Sequence, residues 1–198
     1  PTVGNASDTS ATDILNHISV AVFVVSSLLG LVGNSLVVWV TNFRMRRTVN
    51  SIWFLSLALA DLLYSLLLPF FATKAATADG AWVFGNFLCK AVNSLLFLSM
   101  FASVFQLTLI SADRCLLVAR PVWAQRFRTL RWAWGAAGGA WLLAGAFSAP
   151  YLAYRKERCS AKRCICINDF GATRKQTLIV VRFVAGFLAP LLVITACH

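Results

Sequence analysis

Five long stretches of the chain are nearly free of charge, and short arginine-bearing connections separate them. Residues 14–43 carry no charged side chain, 48–73 only Asp61, 91–112 and 132–154 none, and 176–198 only Arg182. Each exceeds the roughly 20 residues that a helix needs to cross about 30 Å of hydrocarbon. The pattern predicts an all-α membrane protein, a transmembrane helix bundle. Pro69 and Pro150 fall late in their stretches and Pro190 lies inside the last, positions tolerated where neighbouring helices meet the freed carbonyls. A signal peptide is the alternative for 14–43. That stretch lacks a basic start and a small-residue cleavage site, and it runs too long. No repeat or low-complexity tract interrupts the chain, so residues 14–198 read as one domain behind an N-terminal segment, 1–13.

Composition sharpens this reading. The 198 residues are 59% apolar and 13% charged, against about 45–50% and about 25% in soluble domains. That excludes a disordered chain and disfavours an ordinary soluble one. The net charge of +11 sits in the gaps between apolar runs, which points to membrane lipids rather than nucleic acid. The first connection holds Arg44, Arg46 and Arg47, and the third holds Arg120, Arg126, Arg128 and Arg131. The segment before residue 14 has no Lys or Arg. By the positive-inside rule both connections face the cytoplasm and the N-terminus lies outside. Asn5-Ala6-Ser7 is a glycosylation sequon that suits the outer side. The fourth connection, 155–175, falls outside by alternation although it holds seven basic residues against Glu157 and Asp169. Its charge is either merely solvated or an electrostatic funnel for an acidic ligand. Its cysteines, Cys159, Cys164 and Cys166, suit an oxidising side.

Candidate chemistry is sparse. The histidines are His17 and His198, near the two ends, and the glycines form no phosphate loop. No catalytic set and no metal centre is expected, and hence no enzyme. Asp61 lies mid-membrane, where a bare carboxylate costs a few kcal/mol and must turn to the bundle interior. Asn34 and Ser103 stand at comparable depth, so the group reads either as a structural polar knot or as a small-cation site. Asp113-Arg114-Cys115 closes the third stretch, where adjacent opposite charges partly neutralise each other and Arg can snorkel. Cys89 opens that stretch. A disulfide from it to the fourth connection would pin that loop, and spacing does not choose among the three cysteines there. Cys115 and Cys197 read as free thiols. Arg182 sits about two turns into the fifth stretch. It either snorkels outward or faces a water-filled cavity, ready to hold a carboxylate bidentately.

Taken in order, Gly33-Asn34, Leu57-Ala58-Leu59-Ala60-Asp61, Cys89, Asp113-Arg114-Cys115, Trp141 and Pro190 resemble the rhodopsin-like (class A) G-protein-coupled receptors. The resemblance covers nearly the whole chain and five of that family's seven helices. Trp82-Val83-Phe84-Gly85, Met100-Phe101-Ala102-Ser103-Val104-Phe105 and Pro121-Val122-Trp123-Ala124-Gln125 are similar to its chemoattractant branch, which takes in formyl-peptide, anaphylatoxin and chemerin receptors. Thr48-Val49-Asn50-Ser51-Ile52-Trp53-Phe54-Leu55 and Arg182-Phe183 are most similar to the chemerin receptors.

The resemblance implies a seven-transmembrane receptor domain from residue 14, broken off after its fifth helix, and so a piece of a longer protein in the plasma membrane. It implies a Cys89–Cys166 disulfide, because the loop cysteine of that branch precedes a run like Cys166-Ile167-Asn168-Asp169-Phe170. Cys159 and Cys164 then pair with each other or compete for Cys89. It implies Arg182 as the contact for a ligand carboxylate, Asp113 and Arg114 as the G-protein switch, and Asn34, Asp61 and Ser103 as a polar network. A sodium ion at Asp61 is the sole cofactor in view. The implied partners are an extracellular peptide or lipid mediator, a heterotrimeric G protein of the inhibitory class acting through calcium release on leukocyte chemotaxis, and arrestin. Phe97 stands where formyl-peptide receptors carry an acidic contact, which argues against that preference. A decoy receptor of the same fold and a transporter fragment are the alternatives. The intact Asp113-Arg114 pair disfavours the first, and the lack of repeated halves disfavours the second.

Overall fold

The computed structural model describes residues 5–77, 80–160, 164–168 and 172–197, with side chains from residue 13 to 168 and from 176 onward within those stretches. Helix α1 (Asn5–Phe43) is followed by α2 (Val49–Ala76), α3 (Gly85–Ala119), the short α4 (Pro121–Phe127) and α5 (Leu130–Tyr154). Strands β1 (Arg155–Cys159) and β2 (Cys164–Asn168) form an antiparallel hairpin. A final rod joins α6 (Ala172–Phe183), a π-helical turn (Val184–Leu188) and α7 (Ala189–Ala196). The helices start and stop where local chemistry allows. Thr48 and Ser51 exchange hydrogen bonds as a capping box at the head of α2, satisfying amides the first turn would leave bare. The Thr129 side chain accepts from the Trp132 amide at the head of α5. Pro121 opens α4, where its missing N–H costs nothing.

Four stretches, Asp13–Phe43, Val49–Ala76, Gly85–Ala119 and Gln176–Ala196, are long and apolar enough to cross a membrane. The fifth predicted stretch, 132–154, also folds as one helix of 25 residues. Its Gly, Ala and Trp content keeps it less apolar than the other four. Those small residues have a packing role: Ala133, Ala137, Ala140 and Ala144 are buried along one face of α5, at the spacing that lets helices approach closely in lipid. The outer faces stay apolar, with Leu29 70% and Leu142 79% exposed, which hydrocarbon accommodates and water does not. No backbone break marks the expected boundary at residue 13, because α1 runs on unbroken from Asn5.

Three apolar clusters stack along α3. Val49, Ile52, Trp53, Ala133 and Ala137 pack against Leu109 and Ile110 at one end. Ala60, Phe101, Ala102 and Ala144 gather Phe105, Trp141 and Phe147 in the middle. Leu67, Trp82, Cys89 and Val92 close the other end. Hydrogen bonds stitch the helices between these layers. Trp141 Nε1 donates to Ser56 Oγ at 3.0 Å, and Ser27 Oγ donates to the Ser65 carbonyl at 2.9 Å.

The last stretch departs from the single regular helix expected over 176–198. Proline at 190 has no N–H to donate, and the strain is absorbed by the π turn just before it, where the Ala189 amide bonds to the Val184 carbonyl. One extra residue per turn is a recognised way to relieve an interrupted helical ladder. The bulge carries Gly186 against α3: a Cβ there would lie 2.6 Å from the Phe101 ring. Gly30 plays the matching part in α1, since a Cβ would overlap the Ser65 hydroxyl and approach its Cβ to 3.0 Å.

Gly30→Ala is therefore expected to lower the thermal midpoint of the purified protein, at about 1–3 kcal/mol for overpacking. Adding Ser65→Ala recovers most of that loss. A midpoint unchanged by Gly30→Ala would show that α1 does not sit this close to α2.

Candidate functional site

Helix α3 meets a candidate site residue or its partner at each of four depths. From Cys89, Phe97 is about 12 Å along the axis, Ser103 about 21 Å and Asp113 about 36 Å, at the usual helical rise.

At the first depth the hairpin is fastened to the bundle. Cys89 is bonded to Cys166, with Cα atoms 5.9 Å apart, and Cys159 is bonded to Cys164 at the far end of the hairpin. Backbone contacts add two more attachments. The Trp82 amide donates to the Cys164 carbonyl at 2.8 Å, and the Glu157 amide donates to Asn86 Oδ1 at 3.1 Å. Arg155 lies against the disulfide, with Nε 3.1 Å from Cys166 Sγ and Nη1 donating to Asn168 Oδ1 at 3.1 Å. Burial there pulls its ionisation below the usual arginine value, and the neighbouring Tyr151 hydroxyl works the other way. Cys159 and Cys164 also lie near Glu157 in a grouping of metal-ligating types. Their sulfurs are consumed in the disulfide and offer no thiolate. The described hairpin shows Arg155, Lys156 and Arg158 against Glu157. Lys162, Arg163 and Asp169, with the side chains of Arg174 and Lys175, lie outside the described residues, as do Phe170 and the Asn5 side chain of the sequon.

Arg182 occupies the second depth. Its guanidinium carbon is 3.9 Å from the centre of the Tyr151 ring and 5.4 Å from that of Phe97, and Nη1 donates to the Tyr151 hydroxyl. Phe97 and Tyr151 are themselves stacked at 3.6 Å with an interplanar angle of 6°. Arg182 thus turns inward onto an aromatic shelf built by α3 and α5 instead of running out to the lipid edge, and cation–π attraction holds it there. Sequence reasoning passed over Tyr151, one aromatic among many at the end of an apolar stretch.

Asp61 and Ser103 meet at the third depth, the Ser103 hydroxyl donating to Asp61 Oδ1 at 2.6 Å. Asn34 does not join them. Its amide donates to the Gly30 carbonyl at 2.9 Å, one turn back on its own helix, so that it is satisfied within α1. The Asp61 carbonyl instead accepts from Ser65 at 2.7 Å, and that residue leads on to α1 through Ser27.

The fourth depth corrects the expectation that Asp113 and Arg114 neutralise each other. Successive helical residues point in different directions. Asp113 is buried, Arg114 is exposed, and the partner of Asp113 is Arg128. Arg128 donates to both carboxylate oxygens, from Nε at 2.9 and 3.2 Å and from Nη2 at 2.8 Å. The same Nη2 reaches Asn50 Oδ1 at 2.5 Å. One guanidinium therefore joins the heads of α2 and α5 to the foot of α3. Neither Arg128 nor Asn50 was singled out from sequence, since nothing in the spacing marks a contact fifteen residues away across α4.

A family described as 7 transmembrane receptor (rhodopsin family) matches residues 33–198. Chemerin-like receptor 1 of Homo sapiens is 41% identical over 198 residues, covering 90% of this chain and 53% of that protein. C5a anaphylatoxin chemotactic receptor 1 of Cavia porcellus is 44% identical over 186 residues, covering 91% and 53%. Its counterpart in Oncorhynchus mykiss is 46% identical over 184 residues, covering 92% and 52%. The chain spans about half the length of the curated relatives it matches. These receptors are not enzymes, and their seven-helix architecture agrees with the apolar rods and interior polar contacts described above. The chain belongs to the rhodopsin family of seven-transmembrane receptors and is a multi-pass membrane protein.

Proposed function

We propose that the protein is a plasma-membrane chemoattractant receptor whose ligand is an acidic or carboxylate-ended peptide, protein or lipid mediator. The observation that carries this reading is the inward-turned Arg182 beneath a hairpin rich in arginine and lysine. Long-range attraction to the hairpin raises the local concentration of an anionic ligand. A bidentate contact at Arg182 then fixes its terminal carboxylate. The relatives are named for chemerin and for the C5a anaphylatoxin, and ligands of that kind are the first to try. Phe97 is committed to the aromatic shelf and supplies no acid, which disfavours formyl peptides.

In this reading the N-terminus and hairpin face outward, and the end with Arg44, Arg46, Arg47 and Arg128 faces the cytoplasm, as the arginine distribution favours. Arg114, exposed and not engaged by Asp113, is the residue offered to a heterotrimeric G protein of the inhibitory class, with arrestin as a second partner. Calcium release and leukocyte chemotaxis follow from that coupling. The ligand acts only so far as it binds the signalling arrangement better than the resting one. Asp61 and Ser103 supply oxygens from two helices, a donor type that suits a hard cation such as sodium.

Arg182→Ala should weaken a carboxylate-ended agonist by about 1.5–3 kcal/mol and leave its C-terminal amide nearly unaffected, read by competition binding on the intact protein. Equal losses for both ligands would remove the carboxylate role. Arg128→Ala strands the buried Asp113 and should cost roughly 3 kcal/mol of stability. Asp113→Asn in the same background recovers most of it in thermal denaturation, whereas Arg114→Ala leaves the midpoint unchanged.

A further inference from the structure

We propose that Cys115 and Cys197 form a redox site at which hydrogen peroxide closes a reversible disulfide, tying the last rod to α3 beside Arg114. The chain has six cysteines. Four are spent in the two disulfides at the hairpin end of the bundle. The other two are free and half-buried, one in α3 and one capping α7. They nevertheless meet, for their thiols are hydrogen-bonded to each other. The packing of the two rods accounts for this. Arg182 lies over the Phe97 ring and Gly186 against the Phe101 ring, so the last rod runs in the same direction as α3, and α7 still packs on α3 further along. Cys197 against Cys115 continues that order. Two sulfurs in contact have only to close to the S–S bond length of about 2.05 Å.

The setting suits reversible oxidation. Reactive thiols occupy partly exposed, electropositive places. Arg114 and Arg120 are exposed at this end of α3, and the acid nearest in the chain, Asp113, is neutralised by Arg128. The hydrogen bond with Cys115 raises the Cys197 thiol above its ordinary value, and desolvation adds to it. Cys197 therefore keeps its proton the longer, and Cys115 acts first as thiolate. Its sulfur attacks one peroxide oxygen: an S–O bond forms, the O–O bond breaks, and the departing hydroxide takes up a proton and leaves as water. The Cys197 sulfur then attacks the Cys115 sulfenic acid: an S–S bond forms, the S–O bond breaks, and a second water leaves with the Cys197 proton. The two sulfurs give up two electrons and the peroxide is reduced to two waters. On the cytoplasmic side, in the orientation proposed above, thiols are normally held reduced, so a disulfide there is transient and redox-sensing. Thiol–disulfide exchange with a cellular dithiol returns it to the reduced pair.

The test treats the intact purified protein with hydrogen peroxide, blocks the remaining thiols with an alkylating reagent and maps the peptides by mass spectrometry. A peptide pair linked through Cys115 and Cys197, lighter by two hydrogens, should appear, with Cys89–Cys166 and Cys159–Cys164 unchanged. The thermal midpoint should rise on oxidation, because the crosslink closes a long loop. Cys197→Ser should lose both the crosslink and the rise, and should leave Cys115 trapped as a sulfenic acid by a cyclic diketone. Cys115→Ser should lose the crosslink and trap nothing. Mapping of the unaltered protein stands whether or not either variant folds. Thiols that stay alkylatable after peroxide, overoxidise separately or link only between molecules would show that the two merely pack together and overturn the proposal. So would a sulfenic acid trapped at Cys197 of Cys115→Ser, or a midpoint that the crosslink leaves unmoved. None of these readouts depends on the receptor's ligand or on its G protein.

Discussion

A polar group placed in hydrocarbon has no solvent to turn to, so each must find its partner inside the bundle. That constraint explains why α3, the central rod, is met at every depth. Cys89 meets the hairpin through a disulfide, Phe97 stacks on the Tyr151 that receives Arg182, Ser103 donates to Asp61, and Asp113 is held by Arg128. The apolar clusters between these levels set how closely the rods approach. The polar contacts decide which rod faces which, because an unmatched carboxylate or guanidinium costs far more than a poorly filled contact.

The two ends of α3 are held by different kinds of bond. The hairpin end is covalent: a crosslink spans 77 residues, and a second one rigidifies the hairpin itself. Constraining so long a loop removes much of the freedom the unfolded chain would otherwise have, and it keeps the basic hairpin over Arg182. The other end is held by hydrogen bonds from a single guanidinium shared between Asp113 and Asn50. A buried network of this kind depends on each of its members, since removing one leaves the others unpaired.

Much of this architecture could be read from the chain before any coordinates. A stretch of more than 20 residues with at most one charge leaves few structures other than a spanning helix, so α1, α2, α3 and the last rod were legible. Helix α5 was legible by its lack of charge more than by its apolarity, since small residues dilute it. The hairpin was not legible as strands. Arg155-Lys156-Glu157-Arg158 carries no apolar alternation, and the hairpin is fastened to α3 by one disulfide and closed near its tip by another. Depth placed Ser103 beside Asp61, but the same criterion also chose Asn34, which bonds within its own helix. Arg128 and Asn50 did not, because their meeting with Asp113 depends on how the α4 turn folds back. The π turn was signalled by Pro190, but its register depends on Gly186 reaching the Phe101 ring, a packing fact invisible in one dimension.

Which side of the membrane the crosslinked hairpin occupies decides both the proposed ligand capture at Arg182 and the proposed G-protein contact at Arg114. An impermeant amine-reactive label applied to intact cells, with the peptide bearing Lys156 recovered and mapped, decides this directly. Modification of Lys156 without permeabilisation is the predicted result. Modification that appears only once the membrane is opened would place the hairpin inside and contradict the receptor orientation from end to end.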